Sequence, residues 1–180
     1  MTVVTESGLI AGTWSIDPSH SEVGFTVRHL MSKVRGQFET FEGTLVTGST
    51  LSETTATATI DLNSVNTRDE QRDAHLRSAD FFDVEKTGPM TFRSTSFDGT
   101  SAKGELTIKG VTRPVELDVE FLGLDNDPWG GQRIGFEATT QINRKDFGVD
   151  FNIPLDGGKL LVGDKVSIVL SVQAVLNQDA

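Results

Sequence analysis

Charged side chains able to grip an anion crowd into one short segment, TRDEQRDAHLRSADFF at residues 67–82. Arg68, Arg72 and Arg77 are interleaved there with Asp69, Glu70, Asp73 and Asp80, His75 sits among them, and the run ends on Phe81 and Phe82. Guanidinium groups meet phosphates and carboxylates bidentately. His29, Arg68, Arg72, His75, Arg144 and Lys145 are therefore the candidates for holding the polar head of a ligand. The plainer reading is that they pair internally: Arg72 with Asp69, Arg144 with Asp146, His75 with Asp73 or Asp80. The three histidines, His20, His29 and His75, match no metal-binding spacing such as HExxH, and no metal site is expected. A hydrolase could draw on Ser19, His20, Ser78 and Asp80, but no G-x-S-x-G elbow surrounds any of them. Neither a Walker A loop nor a G-x-G-x-x-G turn is present, so no cofactor is expected.

The elements that must position these groups are strands. Val23, Phe25 and Val27 alternate with polar neighbours, as do Ala56–Ala58–Ile60–Leu62, Val115–Leu117–Val119–Phe121, Ile134–Phe136–Ala138 and Val166–Ile168–Leu170–Val172. That period of two is the mark of a strand with one buried face. Further strands are predicted at 35–47, 90–97 and 102–109. Asp98-Gly99, Lys109-Gly110, Asp156-Gly157-Gly158 and Gly163-Asp164 separate them as turns. Gly24, Gly36, Gly43, Gly104 and Gly135 fall within strands, where they predict bulges or bends that let a sheet curl. The exception is 67–82, where Thr67 and Glu70 read as a helix capping box and a second turn from Ser78 carries Phe81 and Phe82 toward the core. The expected fold is all-β with this short helical insertion, about eight antiparallel strands closed into a barrel.

The inward faces then supply candidate cavity-lining residues. The first half of the chain offers Phe25, Val27, Phe38, Ile60, Leu76, Phe81 and Phe82. The second half offers Phe92, Leu106, Ile108, Leu117, Val119, Phe136, Ile142, Ile168 and Leu170. The chain has 11 Phe, 2 Trp and no Tyr; phenylalanine brings no hydroxyl that needs a partner, which suits a dry cavity. Composition alone favours a filled core instead, as in a purely structural or stress-response protein.

At 180 residues the chain is long enough for one sizeable core, placed at 12–177, with residues 1–11 and the last three expected to be loose. Its net charge of −10 argues against nucleic-acid binding, which needs cations on phosphates, and against docking on an anionic membrane through a polybasic patch. Cysteine is absent, no window is long and apolar enough to span a bilayer, and the first residues lack a signal-peptide pattern. A cytoplasmic location is expected on that basis.

Seven segments resemble the YceI-like family of lipid-binding proteins. They are WSIDPSH at 14–20, GFTVRHL at 24–30, GQF at 36–38, RDAHLRSADFF at 72–82, FRST at 92–95, GELTIKG at 104–110 and NRKDFG at 143–148. They follow the family's order across nearly the whole chain, and RDAHLRSADFF is the most specific. The resemblance implies a lipocalin-like eight-stranded barrel whose elongated cavity holds a polyisoprenoid or similar long-chain lipid, with no catalytic group needed. It allows a homodimer. The family includes secreted members with signal peptides, a feature that this sequence does not show.

Overall fold

The computed structural model describes residues 10–158 and 160–177. Alternating residues with many threonines and valines build β1 (Gly12–Ile16), β2 (Glu22–His29), β3 (Ser32–Phe38), β4 (Phe41–Thr47), β5 (Thr55–Ile60) and β6 (Val65–Asn66). They continue with β7 (Met90–Phe97), β8 (Ser101–Ile108), β9 (Val111–Asn126), β10 (Gln132–Asn143) and β11 (Val162–Leu176). All eleven belong to one sheet, which closes where β1 pairs antiparallel with β11.

These eleven segments occupy eight positions around a barrel. β1 and β2 both run along β11, β4 and β3 lie beside them in turn, and β5 and β6 beside those. Three strand positions are thus interrupted, and each interruption has a local cause. Between β1 and β2, the Asp17 side chain accepts from the Ser19 N–H and Pro18 starts a single 3₁₀ turn. The predicted strand at 35–47 breaks at Glu39 and Thr40, whose N–H groups turn to Ser64. Between β5 and β6 the Asp61 side chain accepts from the Asn63 N–H and starts a 3₁₀ turn at Leu62–Ser64. β9 runs unbroken but carries a bulge at Leu122: Phe121 pairs with Phe136 and Gly123 with Gly135. Bulges bend the strand that carries them, and the closed wall needs that bend.

The chain leaves the wall after β6 and rejoins it at β7. In between stand α1 (Glu70–Arg77) and α2 (Val84–Thr87). The capping residue of α1 is Asp69, which accepts from the N–H groups of Gln71 and Arg72; the Thr67–Glu70 box does not form. Arg68 takes a left-handed conformation (φ 66), so the chain turns sharply before the helix and Thr67 points elsewhere. Its N–H and hydroxyl both donate to the buried Asp73 carboxylate.

Two apolar clusters fill the wall. One centres on Phe38, Leu62, Leu106 and Phe147, the other on Trp14, Leu45, Ile134 and Ala174. Ile10, within the stretch expected to be loose, is buried in the second cluster. The rest of that expectation, residues 1–9, and the one for the last three residues lie outside the described residues. Among the described residues no helix is long and apolar enough to cross a membrane.

Candidate functional site

The barrel interior holds two cavities with almost no polar surface, of about 320 Å³ and 210 Å³. The first lies at the end where β2 turns into β3, under α1 and the strap of chain at 148–161. The second lies toward the β7–β8 turn. They follow one another along the barrel wall: Ile168 lines the first and Leu170, two residues on along β11, lines the second.

The inward-facing residues divide between them. Phe25, Val27, Phe38, Leu76, Phe81, Phe82, Ile108, Ile142 and Ile168 line the first cavity. Phe92, Leu117, Val119, Phe136 and Leu170 line the second. Ile60 and Leu106 line neither and are packed in the core. On β8, Ala102 faces the second cavity and Ile108 the first; Leu106 therefore stands between them as part of a waist. A strand's alternation tells inside from outside but carries no depth along the barrel axis.

In each cavity a phenylalanine ring lies across a glycine. Phe25 covers Gly36, its cross-strand partner, and Phe92 covers Gly104. A methyl group on Gly36 would overlap the Phe25 ring. The bare glycine lets the ring lie against the wall and leaves the bore open. Gly36→Ala is expected to cost about 1–3 kcal/mol through overpacking and to reduce uptake of a fluorescent fatty-chain probe. An unchanged melting curve with unchanged uptake would show that the ring has room to move.

The first cavity gains a wall that the alternation reading did not use. Phe147, Val149, Phe151 and Ile153 line it, together with Leu161 and Val162. Their spacing of two was visible in the sequence, but Gly148 and Pro154 at its borders mark it as loop. Phe151 packs on Phe81 (ring centroids 5.1 Å apart) and edge-on against His75 (4.9 Å), so the strap is fastened to the helical insertion.

Arg144 ties the strap down. It is 5% exposed. Its Nε donates to the Gly163 carbonyl (2.8 Å), Nη1 to those of Val149 (2.7 Å) and Phe151 (2.9 Å), and Nη2 to that of Val162 (3.3 Å). The expected pairing with Asp146 is absent. Burial lowers its pKa, and the nearby charges of Asp164 and Asp150 oppose that shift.

The other head-group candidates are scattered. Arg72 lines the first cavity but turns its guanidinium to Thr67, with Nε donating to Oγ1 (2.7 Å) and Nη2 to the carbonyl (2.6 Å). His75 lines it too, with Nε2 2.8 Å from Asp80 Oδ2. His29 faces the same cavity, and among the described residues its ring has no hydrogen-bond partner. Arg68 lies in a separate polar groove beside Asp69 and Glu70. Lys145 is outside both cavities, 3.4 Å from Asp164. His29, Arg72, His75 and Arg144 are thus the predicted head-group residues that line the first cavity.

Serine, histidine and aspartate do meet at Asp17–Ser19–His20, but in a turn. Ser19 Oγ (3.1 Å) and Asp17 Oδ2 (2.8 Å) both face the same ring nitrogen, Nδ1. A proton relay needs the two ring nitrogens on different partners. Asp17 is held far below the usual carboxylate range, chiefly by Arg133, with Ser19 and His20 assisting. Ser78 Oγ donates to the His75 carbonyl rather than to its ring. No group of three or more His, Cys, Asp or Glu able to hold a metal occurs among the described residues.

A closed eight-position antiparallel barrel with two apolar interior cavities has the lipocalin-like architecture. Residues 14–174 match the YceI-like domain, and the chain belongs to that family. A UPF0312 protein of Staphylococcus aureus is 38% identical over 171 residues, covering 92% of this chain and 98% of its own. A solved Campylobacter jejuni YCEI protein superposes with a TM-score of 0.70 at 31% identity, over 90% of this chain and 96% of that one. A polyisoprenoid binding domain from Saccharophagus degradans, at 18% identity, shares the fold (TM-score 0.66; 91% of this chain, 98% of that one).

Proposed function

We propose that this protein binds the tail of a polyisoprenoid or similar long-chain amphiphile inside the barrel, to sequester or carry it. The observation that carries this reading is the pair of apolar cavities inside one barrel, both lined by almost nothing polar. The name of the S. degradans relative, a polyisoprenoid binding domain, points the same way. Burying each CH₂ contributes about 0.8 kcal/mol, so a five-carbon isoprene unit contributes roughly 4 kcal/mol. A few units offset an association cost of about 4–15 kcal/mol. The polar head meets His29, whose ring has no hydrogen-bond partner among the described residues, together with His75 and Arg72 on the wall of the first cavity. Such binding needs no catalytic group.

Native mass spectrometry on protein purified without detergent, followed by organic extraction, tests the reading. A retained mass of isoprenoid or acyl composition is the expected result. Phe25→Glu puts a charge on the wall of the first cavity and is expected to abolish retention, whereas Lys103→Ala, on the outer face of β8, leaves it unchanged. Protein that is empty, and stays empty when offered polyprenyl lipids, would replace this reading with that of a structural barrel.

A further inference from the structure

The mouth of the first cavity carries an apolar tip that strand pairing does not account for. His29 pairs with Ser32, so β2 and β3 are joined by the two residues Leu30 and Met31 alone. Such tight hairpin turns put their first residue at positive φ, where glycine or asparagine sits without steric cost. Leu30 occupies that position at φ 55, a conformation that its Cβ resists. Neither side chain is repaid by burial: Leu30 is 47% exposed and Met31 fully so. Beside the tip Ile153, whose carbonyl accepts from the Leu161 N–H, is also 47% exposed. The tip is held in place, with the Leu30 N–H on the Leu161 carbonyl (2.9 Å) and Arg28 donating to the carbonyls of Leu30 (3.0 Å) and Leu160 (3.3 Å).

The charge beneath the tip is opposite to that of the chain. Residues 23–38 contain Arg28, Lys33 and Arg35 and no acid, within a protein of net charge −10. All three cations are exposed, and Arg28 and Lys33 stand directly opposite each other across the two strands. Like charges in that position destabilise a sheet. Among the described residues none of the three forms an ion pair. The strap sequence carries two acids, Asp150 and Asp156, against one base, Lys159, so the excess of cations belongs to the hairpin.

We propose that the β2–β3 hairpin is a docking element for an anionic lipid bilayer. Leu30 and Met31 enter the apolar layer below the headgroups, while Arg28, Lys33 and Arg35 meet the headgroup phosphates. Exposed apolar residues backed by cations are what interfacial binding needs. Continuity supplies the direction: His29, next to the tip, already lines the cavity, so the docked hairpin would set the cavity mouth against the membrane. The net charge, which on its own argues against such docking, averages away this local face. The proposal rests on the lipid-binding reading for its purpose but not for its test.

The test is flotation of the full chain with vesicles of phosphatidylcholine alone and of phosphatidylcholine with phosphatidylglycerol. The wild type is expected to float with the anionic vesicles only, and raised salt should release it. Met31→Ser and Leu30→Gly should each weaken flotation several-fold, and Lys33→Ala about fivefold. Leu30→Gly also relieves the strained turn, so its melting temperature should hold or rise and misfolding cannot explain the loss. Equal flotation of wild type and tip variants, no flotation at all, or a tip that instead drives self-association abolished by Met31→Ser would each overturn the proposal. Bound lipid measured on the same samples separates the two readings. Phe25→Glu should lose its cargo and still float; a wild type that floats while carrying no lipid would keep the docking element and remove the cavity reading.

Discussion

Arg144→Ala is expected to destabilise the protein by about 3–5 kcal/mol and to release the strap over the first cavity. Four main-chain carbonyls, two on the strap and two at the start of β11, take their hydrogen bonds from this one guanidinium. A buried carbonyl left without a partner costs about 1–3 kcal/mol. The sum stays below four times that figure because a freed strap lets water reach some of them, and because a buried cation is itself costly to keep. Arg144→Lys should rescue little, since one ammonium cannot span carbonyls that a planar fork reaches on two sides. In a chain of this size each kcal/mol moves the melting temperature by roughly 2–4 °C, so the shift is easily read. Hydrogen exchange should show lost protection at 148–162, with β7 and β8 unaffected. A variant that melts with the wild type and keeps its strap amides protected would mean that Arg144 is not the clasp.

The second large effect is at the other end of the barrel. Trp14 is wholly buried, and its indole N–H donates to Thr47 Oγ1 (2.9 Å), whose hydroxyl passes the bond on to the Ile10 carbonyl (2.6 Å). Trp14→Ala should cost about 3–5 kcal/mol, the usual penalty for emptying so large a core site. Trp14→Phe keeps most of the packing and removes only the donor, so its cost should be nearer 1–2 kcal/mol. Chemical denaturation of the two variants separates volume from hydrogen bonding. If both cost the same, the indole nitrogen and not the ring would be what matters at that site.

Much of the architecture is legible because period-two alternation is a strong signal: Ile168 and Leu170 share one alternating face, and both line the barrel's cavities. The features that escaped are those set by single backbone conformations. Nothing in an arginine announces φ 66, so the start of α1 was read two residues early, at Thr67 rather than Asp69. The interruptions at Asp17–Pro18 and Glu39–Thr40 came from side chains capping the main chain over one turn. Arg144 reads from the sequence as a head-group cation or a partner of Asp146, because the neighbouring acid is visible there and main-chain carbonyl partners are not. The waist at Leu106 was hidden for a different reason: an apolar residue on an inward face can either line a void or fill it, and only the packing of neighbouring strands decides which.

The seam that closes the barrel pairs Trp14 with Leu176 and Ile16 with Ala174. A chain still on the ribosome therefore has an open, half-built interior until β11 has emerged, however well the hairpins between have formed. Topologies dominated by such distant pairings fold in milliseconds to seconds, long compared with the microsecond formation of a single hairpin. During that interval the apolar wall is exposed to whatever hydrophobic molecules surround the nascent chain. Cargo trapped as the seam zips shut would record the place of synthesis, and protein refolded from denaturant in clean buffer would differ from protein taken from cells in what it contains.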